Sequence, residues 1–201
     1  MIGFMKLKFD PNQQYQIDAI NAVVDIFTGQ PKDIDGVDRH MDQDRQLSLE
    51  ATIAKGNSLV LDVAQIIKNT HKIQEKNGIK KSETREGGFS IPMTFPLETS
   101  DKSLKYGMNF SIEMETGTGK TYVYLRTIHE LHQCYGWKKF IIVVPSVAIR
   151  EGVLKNLAIT REHFADLYSK PEMDYYVWDS KKTGQAREFA TNDTLQIMVI
   201  T

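Results

Sequence analysis

The sequence has little of the material that several protein classes require. It contains a single cysteine, Cys134, which excludes an internal disulfide framework and disfavours a zinc site built from cysteines, as suits a reducing cytosol. No apolar run approaches the roughly 18 residues that cross a bilayer, and residues 1–10 lack the apolar core of a signal peptide. These absences predict a soluble, cytoplasmic protein without a membrane partner.

The chain also lacks an excess of charge of either sign. Lys and Arg total 25 against 26 Asp and Glu, a formal net charge of −1, so the sequence does not encode a whole-protein attraction to DNA or acidic membranes. Local basic patches remain possible. Of the 201 residues, 41% are hydrophobic and 25% charged, which is typical of a globular protein and excludes a disordered or collagen-like chain.

Two amphipathic helices are predicted in the N-terminal half. Apolar residues recur at helical spacing over residues 13–27, and again from about residue 59 to residue 76. Asn57 or Ser58 can cap the second helix, and Asp62 is predicted to lie on its surface.

Between and after these helices the pattern weakens. Residues 32–45 are rich in Asp and poor in apolar side chains, which predicts a solvated loop. Residues 80–107 contain two prolines and two adjacent glycines, and we expect a loop or a small irregular subdomain there.

The C-terminal half alternates strand-like and helical runs. Strands are predicted at residues 110–114, 140–144, 175–178 and 195–200, with helices at 120–135, 146–157 and 160–168. This order predicts a parallel sheet with flanking helices and right-handed crossovers. The uninterrupted apolar run 140–144 is typical of a strand covered on both faces. We expect a helical segment over 1–107, followed by the first part of an α/β domain over 108–201.

The strongest local motif lies between the first of these strands and the helix after it. It consists of Thr116, Gly117, Thr118, Gly119, Lys120 and Thr121. Such a loop forms a nest of inward-pointing N–H groups at a helix N-terminus, which binds phosphate. Lys120 is expected to reach the β- and γ-phosphates of a nucleotide, and Thr121 to place its hydroxyl on Mg²⁺. Met114 occupies the first glycine position of the usual P-loop pattern, at the end of the predicted strand, where the change should be tolerated.

An acidic residue at the end of a neighbouring strand is also needed for nucleotide hydrolysis. The chain contains no adjacent Asp-Glu pair, and Asp62 precedes the P-loop within a helical pattern. Because the chain stops directly after an apolar strand, the simplest interpretation is a P-loop domain that is incomplete at its C-terminus.

The C-terminal half resembles a known family. Residues 114–123, Met-Glu-Thr-Gly-Thr-Gly-Lys-Thr-Tyr-Val, and residues 139–153, which run from Lys-Phe-Ile-Ile-Val-Val-Pro-Ser to Glu-Gly-Val, are similar to motifs I and Ia of the restriction (Res) subunit of Type III restriction-modification enzymes. These subunits are superfamily 2 helicase-like motors. The resemblance continues through residues 175–182 and is looser in the first half of the chain. It implies a RecA-like domain.

Further site residues are implied by this resemblance. In many superfamily 2 motors a glutamine ahead of motif I reads adenine, and Tyr15-Gln16-Ile17 is similar to that segment, with Gln16 the first candidate and Gln13 the second. A glutamine amide can both donate to and accept from an adenine edge. Ser146 and Arg150 follow the motif Ia strand, where the resemblance implies contact with DNA phosphate.

The implied whole protein hydrolyses ATP with Mg²⁺, acts on double-stranded DNA, carries a C-terminal endonuclease domain and works with a methyltransferase (Mod) subunit. The chain itself is expected to bind nucleotide without turnover, so Lys120 and Thr121 are its candidate catalytic residues only within the parent enzyme. Two alternatives remain open at this point. One is another superfamily 2 helicase or translocase, and the other is a non-hydrolysing, nucleotide-regulated binding module.

Overall fold

Two sheets and five α-helices form the part of the chain that the computed structural model describes, which comprises residues 8–32, 56–85, 88–90 and 106–201. The helices are α1 (Gln14–Val24), α2 (Val63–Lys76), α3 (Lys120–Tyr135), α4 (Val147–Leu167) and α5 (Thr183–Thr191). The strands are β1 (Thr84–Arg85), β2 (Gly88–Ser90), β3 (Tyr106–Gly107), β4 (Lys139–Val143), β5 (Met173–Val177) and β6 (Leu195–Ile200). A short 3-10 turn, Asp25–Phe27, continues α1.

The parallel sheet is the centre of the fold. Its order is β4-β6-β5, and β6 pairs in parallel with both neighbours. Ile197 and Val199 of β6 are fully buried, and they pack in one core with Leu125 of α3 and with Val153 and Leu157 of α4. The predicted parallel sheet with flanking helices, a RecA-like α/β fold, is therefore confirmed.

Strand β4 differs from its prediction. It lies at one end of the described sheet, and Ile141 and Val143 are 54% and 74% exposed. The expectation that this strand is covered on both faces was wrong. Phe140 and Ile142 pack against the core, whereas Ile141 and Val143 point to the opposite face and are exposed, so one face of β4 is covered by the described residues and the other is open.

The strand predicted at residues 110–114 is also absent. The structure assigns neither helix nor strand to residues 108–119, and Phe110 and Ile112 are exposed. Both edges of β6 are occupied by β4 and β5, so this segment has no β6 edge on which to pair. The glycine-rich loop at 116–121 therefore follows backbone that belongs to neither described sheet.

The first predicted helix is confirmed as α1 and the 3-10 turn. Its buried residues Ile20 and Val24 pack against Val123 and Leu131 of α3. The hydroxyl of Tyr135 donates a 2.9 Å hydrogen bond to the Val24 carbonyl. Helix α1 is thereby fixed against the helix that begins at the P-loop.

Several other boundaries differ from the predictions. Helix α2 begins at Val63, because the Asp62 carboxylate caps it by accepting a 2.7 Å hydrogen bond from Gln65 N–H. The two helices predicted at 146–157 and 160–168 form one continuous helix, α4. Helix α5 was not predicted.

The irregular segment over 80–107 is confirmed in part. Its described residues form a small antiparallel sheet of order β1-β2-β3 around the buried side chain of Phe89. Apart from Lys32, the loop predicted over 32–45 lies outside the described residues. No helix in the described part of the chain has the length and hydropathy needed to cross a membrane.

Candidate nucleotide site

The glycines of the P-loop take backbone conformations that other residues rarely adopt. Gly117 has a φ of 83° and Gly119 a φ of 85°. A Cβ on Gly119 would also lie 2.7 Å from Nε2 of Gln16. The Thr118 hydroxyl donates a 2.7 Å hydrogen bond to the Glu115 carbonyl and closes the turn. Positive φ and this close approach explain why glycine is required at position 119.

Helix α3 differs from α2 and α4 at its N-terminus. The Asp62 carboxylate caps α2, and the Ser146 hydroxyl accepts a hydrogen bond from Ile149 N–H at the start of α4. The cap of α3 is Gly119, which has no side chain to accept a bond from the first turn. The first N–H groups of a helix need acceptors, and together with the helix dipole they favour an anion. This end of α3 is suited to phosphate.

A cavity of about 630 Å³ opens in front of that helix end. One side is formed by Thr116, Gly117, Gly119, Lys120 and Thr121, and the facing wall by Lys8, Phe9, Asp10, Gln13 and Gln16, with Tyr122 and Asn156 completing the lining. The structure therefore brings the P-loop and both candidate glutamines into one cavity. Thr118 is not among the lining residues.

Gln16 is the buried residue of the facing wall that contacts the loop. Its Nε2 donates a 3.0 Å hydrogen bond to the Thr118 carbonyl, and the residue is 7% exposed. Gln13 is more accessible and accepts a short hydrogen bond from the Tyr15 hydroxyl. Gln16 therefore joins α1 directly to the P-loop, and Gln13 is the more accessible of the two amides in this cavity. Adenine reading by either residue stays a prediction.

The side chains suited to Mg²⁺ are few. No group of three or more His, Cys, Asp or Glu side chains able to hold a metal occurs among the described residues. Thr121 lies beside Tyr124, whose pKa is raised by burial and lowered in part by its hydrogen bond to Thr121. Mg²⁺ commonly takes only one or two protein ligands and completes its shell with nucleotide phosphates and water. The Thr121 hydroxyl, next to the glycine-capped end of α3, fits that requirement.

Ser146 and Arg150 lie away from this cavity, at the start of α4. The Ser146 hydroxyl is a helix cap, and the Arg150 guanidinium contacts the Glu151 carboxylate at 3.0 Å. Both residues are therefore engaged within the protein. Their contact with DNA phosphate stays a prediction.

Sequence reasoning missed part of the site. Lys8, Phe9, Asp10, Tyr122 and Asn156 line the cavity and were not among the candidates. Phe9 and Asp10 directly precede Pro11, ahead of the α1 start, and the sequence pattern there did not mark them as site residues. Asn156 lies 36 residues beyond Lys120 and only the packing of α4 on α3 brings it close, so no local pattern identifies it.

Comparison with protein families agrees with this geometry. The family described as "Type III restriction enzyme, res subunit" matches residues 10–201. The chain belongs to this family. Its members carry a helicase-like domain, which agrees with the RecA-like sheet described above. The predicted resemblance is thereby confirmed, and it extends into the N-terminal half.

Three curated relatives illustrate the similarity. The EcoPI Res subunit of Escherichia phage P1 is 30% identical over 181 residues, which are 89% of this chain and 16% of that protein. The StyLTI Res subunit of Salmonella typhimurium is 38% identical over 109 residues, 46% of this chain and 11% of that protein. The EcoP15I Res subunit of Escherichia coli is 34% identical over 130 residues, 63% of this chain and 12% of that protein. The chain thus spans about one sixth or less of these relatives.

Proposed function

We propose that this chain is the nucleotide-binding part of the ATP-dependent DNA motor in a Type III restriction enzyme. In this proposal residues 108–201 bind the phosphates, and residues 1–107 supply the helix that reads the adenine base. The observation that carries the proposal is the glycine-capped N-terminus of α3, which opens on a cavity of about 630 Å³. A magnesium nucleotide is bound by uncapped helix N–H groups, by a neighbouring lysine and by a neighbouring threonine hydroxyl.

In this proposal each residue of the loop has one role. Gly117 and Gly119 allow the backbone to turn its N–H groups toward phosphate, and Lys120 supplies the positive charge for the β- and γ-phosphates. Thr121 supplies a hydroxyl ligand for Mg²⁺, which when bound neutralises phosphate charge. Gln16 joins the loop to α1, so nucleotide binding and the position of α1 are coupled.

The parent enzyme is proposed to hydrolyse ATP, to act on double-stranded DNA through residues that include Ser146 and Arg150, to cleave DNA and to work with a Mod subunit in the cytoplasm. The 201-residue chain is proposed to bind ATP without turnover. Asp10 is the carboxylate among the described residues of the cavity, and its Oδ1 accepts a 2.9 Å hydrogen bond from Asn12 N–H. No second carboxylate lines the described cavity to position water for attack.

Calorimetric titration with ATP and Mg²⁺ tests the binding. Wild type should bind, and Lys120→Ala should weaken binding at least about tenfold, which corresponds to about 1.4 kcal/mol. Lys155→Ala, at an exposed lysine of α4, is the matched control and should bind like wild type. Equal affinity of wild type and Lys120→Ala would contradict the proposal.

A phosphate-release assay tests the proposed inactivity. We expect no release of phosphate from ATP above background at saturating ATP and Mg²⁺, with or without double-stranded DNA. Steady turnover that Lys120→Ala abolishes would overturn this part of the proposal and leave the binding site intact. DNA-dependent ATP turnover by a longer protein that includes this chain would support the motor, and its absence would support a non-hydrolysing binding module.

A further inference from the structure

The wall of the cavity that faces the P-loop is a short irregular segment, residues 8–13, which precedes α1 and belongs to no helix or strand. Phe9 stacks on Tyr122 of α3 with ring centroids 5.7 Å apart and planes 16° apart, and it lies 5.2 Å from the His163 ring of α4. The Tyr122 hydroxyl and His163 Nε2 are hydrogen-bonded at 2.9 Å. The segment therefore rests on α3 and α4.

Arg126 of α3 holds the backbone of this segment. Its Nη1 donates a 2.5 Å hydrogen bond to the Pro11 carbonyl. Its Nε donates a 3.0 Å bond to the Tyr168 hydroxyl, and its Nη2 lies 3.7 Å from Oε1 of Glu130. The Arg126 side chain is only 12% exposed, and an arginine is seldom buried to this extent unless its guanidinium is paired.

The partners of Arg126 are themselves fixed. The Tyr168 hydroxyl donates a 2.6 Å hydrogen bond to Glu130 Oε1, so the three side chains form a closed ring of contacts. The Tyr168 ring stacks on buried His129 at 5.2 Å with planes 9° apart. A planar guanidinium engaged along more than one edge has little rotational freedom, and it can therefore act as a rigid strut.

Residues of the segment 8–13 line the same cavity as the N-terminus of α3, so a nucleotide with its phosphates at that helix end has this wall available for its ribose and base. We propose that Arg126 is a positioning residue for the base end of the nucleotide site, which holds this wall at the distance from the P-loop that a purine nucleotide requires. It acts through Pro11 and does not line the cavity itself. The inference rests on the proposed nucleotide binding.

The role of Arg126 predicts a split between two ligands. Inorganic tripolyphosphate with Mg²⁺ uses the P-loop but not the wall, whereas ATP with Mg²⁺ uses both. Arg126→Gln should therefore weaken ATP binding about tenfold and change tripolyphosphate binding less than twofold. Lys120→Ala should weaken both. Arg161→Gln, at an exposed arginine of α4 outside the cavity, is the matched control and should change neither.

Two further variants keep the test decisive if Arg126→Gln does not fold. Tyr168→Phe removes the hydroxyl that links Arg126 to Glu130 but keeps the ring, and it should weaken ATP binding two- to threefold without affecting tripolyphosphate. Arg126→Lys keeps the charge but replaces the planar guanidinium with a single ammonium nitrogen, and it should restore part of the ATP affinity. Hydrogen exchange should rise at residues 9–13 in Arg126→Gln and stay unchanged at residues 115–119.

The outcomes are distinguishable. If wild type binds neither ligand, the proposed nucleotide site itself fails. If wild type binds both ligands, two results would overturn the positioning role and leave the nucleotide site standing. One is ATP binding by the Arg126 and Tyr168 variants that equals wild type, and the other is an equal loss of both ligands in these variants. A selective loss of ATP affinity with faster exchange in the wall supports the inference.

Discussion

Strands β4 and β6 have the same apolar texture and opposite environments. β4 reads Lys-Phe-Ile-Ile-Val and β6 reads Leu-Gln-Ile-Met-Val-Ile, and they pair side by side in the parallel sheet. Yet Ile197 of β6 is fully buried, whereas Ile141 of β4 is 54% exposed. The difference shows that composition selects the strand conformation, and that the elements packed on each face of the sheet select how much of the strand is covered.

The strongest test of this comparison is a matched pair of isoleucine truncations. Ile197→Ala should lower the free energy of unfolding by about 3 kcal/mol, because it removes buried methyl groups and leaves a cavity in the core. Ile141→Ala should cost less than about 1 kcal/mol, because half of that side chain already contacts solvent. Urea denaturation with equal m-values measures both. Equal losses would show that β4 is covered in solution.

Acid tests the packing between α3 and α4, where His129 contacts Phe164 and Tyr168. Burial, with a smaller contribution from the neighbouring charge of His132, lowers the pKa of His129 from 6.5 to about 4. The unfolded chain binds a proton below pH 6.5 and the folded chain only below about pH 4, so stability is complete above pH 6.5 and falls as the pH falls from 6.5 to 4. The loss from this group reaches about 3 kcal/mol.

The histidine can be separated from other acid-sensitive groups. His129 lies between Phe164 and Tyr168, and its Nδ1 is buried without a hydrogen-bond partner in the structure. His129→Leu replaces the imidazole with an apolar side chain and should flatten the pH dependence of the unfolding free energy between pH 6.5 and 4. If the variant and wild type lose stability in parallel over that range, His129 is not the group responsible.

A smaller effect on the unfolding free energy is expected at the start of β4, where the Asn57 side chain forms hydrogen bonds with backbone groups of the strand. Asn57 Nδ2 donates a 2.7 Å hydrogen bond to the Lys139 carbonyl, and its Oδ1 accepts bonds from Lys138 N–H and Lys139 N–H. Asn57→Ala should cost about 1 kcal/mol, since these exposed groups can be solvated instead. Asn57→Asp keeps the acceptor and loses the donor, so its denaturation midpoint should lie between those of wild type and alanine.

The smallest effect on stability is expected at Val143, which is 74% exposed. Val143→Lys should change the unfolding free energy by less than about 0.5 kcal/mol. It should also reduce self-association, because lysine on an open strand edge discourages pairing with another chain. Sedimentation at increasing protein concentration measures this. Unchanged association of the variant would show that this edge does not pair between copies.

Much of the fold and part of the site could be predicted from local pattern. The helical spacing of Ile20 and Val24 identified α1, and Gly117 and Gly119 identified the tight turn ahead of α3, since each signal lies within a few residues. Phosphate binding by that turn stays a prediction. The failures involve distant partners. Asn57 was predicted to cap α2, but its amide satisfies the edge of β4, 82 residues away. Arg126 on α3 gave no signal of its contact with Pro11.

The sequence by itself determined the local conformations and the chemical groups at the loop, because glycine backbone freedom, helix capping and apolar spacing act between neighbours in the chain. Only the tertiary structure decided which strand is central, which carbonyls receive a side-chain partner and which segment faces the P-loop. Those outcomes depend on contacts between residues far apart in sequence, such as Gln16 with Thr118, whose geometry exists only after α1 packs on α3.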